Sequence, residues 1–231
     1  MPLLLPATGA PYTLTARPHG VINPVEAAVM TAAMNTARVK LLAAIAITQA
    51  VVGGTAEGHG IVPVGFGALL EYAFRPGPLP ANMLNAANAA LVGLQQINTG
   101  LNAATLEVVD SNPRRGGIAS GYVRMTVREL FRRADPARPR DNVGRIHIRL
   151  ATYGGAATPV NINNAASTLV HEASHKFSGT RDWGYMAEGA AGYMGMVAMG
   201  MVPALGGGAV LTNPQGLNNA DSYAAFVMSM P

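Results

Sequence analysis

Apolar residues recur at helical spacing over two long stretches of the chain and alternate with polar residues over shorter ones. These two periods predict different elements. The first helix is announced by Asn23-Pro24-Val25-Glu26: Asn as N-cap, Pro at the first helical position, Glu at the third. It is expected to run to about Val52, where Gly53-Gly54 stops it. Leu84, Ala87, Leu91 and Leu94 share one face of a second helix, opened by Pro80 and ended by Gly100. Neither helix carries candidate chemistry, so both are expected in the core.

Residues 106–110 and 122–127 read as strands, joined in a hairpin region through Asn112-Pro113 and Gly116-Gly117. Residues 145–150 alternate cleanly, with Ile146, Ile148 and Leu150 on one face, which predicts a half-buried strand. A glycine-containing loop follows, and Asn163 or Asn164 is expected to cap the next helix. On it Val170, Ala173, Ser174 and Phe177 form a stripe for the core, and His171, Glu172 and His175 lie on the adjoining face, open to a cleft. Pro2, Pro6, Pro11 and Pro18 mark residues 1–22 as an extended arm. Residues 23–231 then form a single α+β domain, mostly helical with a small antiparallel or mixed sheet. Its helical half is 23–104, and its sheet and chemistry half is 105–231. The length of 231 residues suits one domain with a substantial core.

Composition narrows the classes. With no Cys, disulfides and thiolate metal sites are excluded. The formal charge of +4 is concentrated: ten arginines lie between Arg114 and Arg149, opposed by Glu129, Asp135 and Asp141. No aromatic residues interleave them in a binding motif, so a solvated basic face is expected here and a nucleic-acid partner is not. The N-terminus lacks a basic region and a sustained apolar run, arguing against a Sec-type signal. Residues 41–52 are apolar but too short to span a bilayer, and residues 189–220 are broken by glycines and Pro203, so no membrane span is expected.

The chemistry concentrates in His171-Glu172-Ala173-Ser174-His175. Histidines at i and i+4 of a helix can reach one metal ion while Glu172 stands beside it. Catalytic zinc usually takes three protein ligands. The metzincin pattern would need Gly at 178 and His at 181, where this chain has Ser178 and Arg181. Glu188, on a following helix, is one candidate for the third ligand. Asp182 is the other, because Gly179 can end the helix and turn the chain back.

Gly179-Thr180-Arg181-Asp182-Trp183-Gly184-Tyr185 resembles the G-T-x-D-x-x-Y element of the aspzincins, the deuterolysin-like and peptidyl-lysine metalloendopeptidases. Asn219-Ala220-Asp221-Ser222-Tyr223, on an expected C-terminal helix, is similar to a second element of that family. The resemblance covers residues 146–226 with specific motifs and the N-terminal half only in helical character. It implies a zincin-like fold, with residues 145–150 as the edge strand before the active-site helix, and a zinc endopeptidase with His171, His175 and Asp182 as ligands. It also implies Glu172 as general base and Tyr185 as a hydrogen-bond donor to the transition state. Two departures point to a bacterial-type branch: the absence of cysteine, and Met186 where the family element continues with Gly.

Ligand histidines need acceptors for their second ring nitrogen, and Asp221 is the candidate for one, with helix capping as its other reading. His147, on the polar face of its strand, is a candidate for lining the cleft, though a surface role is the simpler expectation. His19 and His59 are expected in solvent, and the methionines from Met186 to Met201 in the core or a pocket wall. Part of the family prefers lysine after the scissile bond, which requires an acidic pocket; Asp221 and Glu188 could supply one. Lys40 and Lys176 are the only lysines against 14 arginines, which would spare such an enzyme self-digestion, although a GC-rich genome is the simpler source of the bias. The expected partners are a protein or peptide substrate and, for a bacterial effector, a delivery or immunity partner. Localisation is expected to be cytoplasmic at synthesis, followed by specialised export. The rival reading is a catalytically silent zinc-binding docking module of the same fold.

Overall fold

Asn23 and Glu26 close a reciprocal capping box: Glu26 N–H donates to Asn23 Oδ1 at 2.8 Å, and Asn23 N–H to Glu26 Oε2 at 3.0 Å. This starts α1 (Pro24–Val52), the helix around which the rest is arranged. The computed structural model describes residues 2–5, 10–18, 20–53, 81–111, 121–126, 142–153, 155–182 and 217–231. Within them lie β1 (Pro2–Leu5), β2 (Tyr12–Thr15), α1, α2 (Ala81–Leu101), β3 (Glu107–Asp110), β4 (Gly121–Met125) and β5 (Asn142–Ile148). A 3₁₀ turn (Leu150–Thr152), α3 (Pro159–Ala173), a π turn (Ser174–Ser178) and α4 (Ala220–Met228) follow. The fold is α+β, mostly helical, with a small mixed sheet.

α1 packs against α2, α3 and α4. Met30, Ala33, Met34, Ala37, Leu41 and Ala44 are fully buried on it, at spacings of three and four that keep them on one face. By length and composition α1 could cross a membrane, but this face is the core of the domain. Its two long cations cap other helices. Buried Arg38 donates to the Leu101 carbonyl at the end of α2, and Lys40 donates to the Met230 carbonyl just beyond α4.

The sheet order is β1-β2-β3-β5-β4, with β2–β3 and β3–β5 parallel and the outer pairs antiparallel. Three expectations are corrected here. The N-terminal arm is extended but built into the sheet: Tyr12 and Leu14 are fully buried, and Pro2 and Pro11 sit at strand starts, where a missing N–H is tolerated. β3 and β4 do not pair as a hairpin, because β5 lies between them. β5 is consequently not an edge strand. Its Ile146 and Ile148 face the helices, while His147, on the opposite face, is covered by the Tyr122 ring of β4. β4 takes the edge, and its register against β5 slips between Val123 and Arg124, opposite Gly144 at φ +83°.

α3 begins earlier than expected. Thr158, not Asn163 or Asn164, is its N-cap: the Thr158 hydroxyl accepts from Asn161 N–H at 3.2 Å, and Pro159 takes the first position. Gly100 likewise does not end α2 but lies inside its last turn against the π turn. A Cβ there would lie 2.2 to 2.4 Å from three ring carbons of Phe177. Gly100→Ala is therefore expected to lower stability by about 1–2 kcal/mol: overpacking costs up to ~3 kcal/mol, against ~1 kcal/mol of helix propensity gained. Urea unfolding checks this, and a midpoint above wild type would contradict it.

Candidate metal centre

His171 and Glu172 occupy the end of α3, and His175 the π turn that continues it. Gly179, left-handed at φ +69°, ends that turn and sends the chain back along the helix end. Thr180 N–H then donates to the Ser174 carbonyl at 3.3 Å, and the Ser174 and Thr180 hydroxyls meet at 2.7 Å. Arg181 forms a parallel bridge to Asn219: its N–H donates to the Asn218 carbonyl, and Ala220 N–H donates to the Arg181 carbonyl. Two segments far apart in sequence are thereby clamped on either side of His171, with Asp182 after one and Asp221 after the other.

The ligand atoms converge. Asp182 Oδ1 lies 3.1 Å from Nε2 of His171 and 3.1 Å from Nε2 of His175, and the two Nε2 atoms are 3.1 Å apart. Both second ring nitrogens are engaged. His175 Nδ1–H donates to the Thr180 carbonyl at 2.9 Å, and His171 Nδ1 faces Asp221 Oδ1 at 3.3 Å. Because a carbonyl and a carboxylate only accept, each imidazole places its proton on Nδ1 and turns a lone pair inward from Nε2. With both histidines neutral and protonated on Nδ1, Asp182 Oδ1, which is buried, receives no hydrogen bond among the described residues. Three acceptor atoms thus face one another with no proton between them, which is unfavourable unless a cation lies among them. A tetrahedral ion with ligands at about 2.0–2.1 Å would hold them roughly 3.3 Å apart, close to the spacing found. The buried His171, His175 and Asp182 group could hold a metal ion.

The electrostatics agree. Burial alone would lower the His171 pKa, but hydrogen bonds to Asp182 and Asp221 and the charges of Asp182 and Glu172 raise it well above the ordinary imidazole range. Burial alone would raise Asp182, but the charge and hydrogen bonds of the two imidazoles hold it well below the usual carboxylate range. In metal-free protein a proton on His171 therefore takes the cation's place. Because the folded pKa is raised, that contribution to stability is complete below about pH 6.5 and is lost as pH rises through the folded value. Asp182 works oppositely: its contribution is present above pH ~4 and is lost as pH falls through its depressed value. Metal binding near neutral pH is expected to release a proton from His171. Titration calorimetry in buffers of different ionisation enthalpy measures this, and a buffer-independent heat would contradict it.

Glu172 is 4 % exposed, and its carboxyl arm lies against Gly121 at the start of β4: a Cβ on Gly121 would be 2.8 Å from Glu172 Cγ and 2.9 Å from Oε1. Glu172, His171 and His175 are all buried on the face expected to open to a cleft, with β4 against Glu172 and the Thr180 turn against His175. Asp221, in the first turn of α4, lies against His171. His147 is not with them; it points from the opposite face of the sheet. Tyr185 and Glu188 lie outside the described residues, as do His19, His59, Met186 to Met201 and much of the arginine-rich stretch. Sequence reasoning missed Thr180, although it lies within the quoted element, and Asn142, whose side chain donates to the His175 carbonyl. Gly121 carried no local signal at all. No protein-family model matches the chain, and comparison with curated proteins finds no match.

Proposed function

We propose that this chain is a zinc-dependent endopeptidase of aspzincin-like type, with a zincin-like arrangement of the α3 helix upon the sheet. The observation that carries this reading is the convergence of three proton-free acceptors from His171, His175 and Asp182, with the Glu172 carboxylate on the same helix end. Two imidazoles and one carboxylate, with no thiolate, suit zinc and leave a coordination position for a reactant. With a divalent ion their formal charge sums to +1. When bound, zinc supplies Lewis acidity that makes water nucleophilic at neutral pH and polarises a carbonyl.

The chain's own residues supply the rest. Glu172, held by Gly121 and buried, accepts a proton from the attacking water and delivers it to the leaving amine. Asp221 and the Thr180 carbonyl fix the tautomer and tilt of the two histidines. Tyr185 donates to the developing oxyanion in the mechanism the family resemblance implies. Among the described residues β4 pairs on one side only, with β5, and its first residue touches Glu172. An extended peptide adding to that edge would run past the proton acceptor. The Asp221 carboxylate is committed to His171, so a lysine-selecting pocket receives no support from it.

Digestion of denatured casein by purified, zinc-loaded protein tests the proposal. Cleavage abolished by a chelator and restored by zinc supports it. Stoichiometric zinc without cleavage would favour the silent docking module instead.

A further inference from the structure

The face of the sheet turned away from the helices carries a cavity of about 560 Å³, within the range of small-molecule sites. Arg17, Pro18, Val109, Asp110, Ser111, Tyr122, Arg124 and His147 line it. It is separate from the metal centre by strand alternation. Gly121 meets Glu172 on the helix side, so Tyr122 points the other way, as do His147 and Val109 in the paired rows of β5 and β3.

The charges around it do not cancel. Asp110 accepts from Leu150 N–H at 3.2 Å and lies 3.8 Å from Arg17. Glu107, on the same face, is taken by Arg145 at 2.8 Å and by the Thr15 hydroxyl at 3.0 Å. Arg124 is exposed and has no acidic partner among the described residues. The Tyr122 and His147 rings are stacked, with centroids 4.3 Å apart and planes within 3°, and form a rigid wall. His147 is 9 % exposed, and its Nδ1 is buried without a hydrogen bond among the described residues. Burial first, then the Arg124 and Arg145 charges, push its pKa down, so the imidazole is neutral and Arg124 is the net charge.

We propose that this cavity binds a small carboxylate with an apolar or aromatic body, its charge on the Arg124 guanidinium and its body against Val109, Pro18 and the Tyr122–His147 stack. A guanidinium fork matches a carboxylate in shape, and one uncompensated cation matches a single negative charge. A phosphate monoester, with nearly two charges, would call for a second free cation or a helix N-terminus, and neither lines the cavity among the described residues. The site does not depend on the peptidase reading.

Calorimetric titration with phenylacetate, phenyl phosphate and inorganic phosphate tests it, on zinc-loaded and on chelator-stripped protein. The expected result is phenylacetate binding that survives metal removal and weakens on the order of 10- to 100-fold in Arg124→Gln. Arg124→Lys should keep part of the affinity, and circular dichroism and zinc content should be unchanged in both variants. Loss of binding on stripping the metal would overturn the proposal, because zinc would then be the acceptor. So would a preference for either phosphate, wild-type affinity in Arg124→Gln, or no binding of phenylacetate.

Discussion

Glu172→Gln is expected to reduce peptide hydrolysis by about 10²- to 10⁴-fold, the range that a positioned proton acceptor supplies. Zinc content should stay at the wild-type value. Glutamine fills the same volume against Gly121 and preserves the end of α3, but its amide cannot take up a proton at neutral pH. The loss should fall on kcat with KM nearly unchanged, since the group acts on the moving proton rather than on substrate binding. Steady-state assays on a fluorogenic peptide, with metal analysis of the same samples, measure both quantities. A variant with most of its activity would remove Glu172 from the chemistry while leaving the metal centre in place.

Asp182→Ala is expected to act one step earlier, on the metal itself. In the proposed centre the aspartate is the one anionic ligand among the described residues and sits 3.1 Å from both Nε2 atoms, so its loss would remove one coordinating bond and the charge that offsets the ion. Loss of residues that only support metal ligands typically costs 10- to 100-fold in affinity, and a direct ligand should cost more than about 100-fold. Competition with a chromophoric chelator measures it. Asp221→Asn provides the comparison: it keeps a hydrogen-bond acceptor for His171 but removes the charge, and should weaken zinc only within that 10- to 100-fold range. Equal losses in the two variants would mean that Asp182 is not a ligand.

What was legible in the sequence was local. The Asn23/Glu26 capping box, the Ile146/Ile148 alternation and the His171/His175 spacing each depend on residues within one or two turns, and each is found as expected. Asp182 and Asp221 were legible through the elements that carry them, and a glycine turn and a short bridge bring both to His171. What was not legible depends on partners distant in sequence. β5 reads as an edge strand through the family resemblance, and its place between β3 and β4, with the Tyr122 ring over His147, is set by strands distant in sequence. The first 22 residues read as an arm because four prolines obscure the Tyr12/Leu14 alternation that sets β2 beside β3. Thr158 and Asn163 are both competent caps, and the choice falls to Pro159, whose fixed φ and missing N–H suit the first helical position. The π turn carrying His175 has no sequence signature that periodicity detects.

Zinc-edge X-ray absorption on metal-replete protein, with the metal counted per chain, addresses the coordination most directly. The geometry of His171, His175 and Asp182 predicts one zinc, bound by two imidazole nitrogens and by oxygen donors at about 2.0–2.1 Å. Metal well below one per chain, or a shell containing one or three imidazoles, would contradict it.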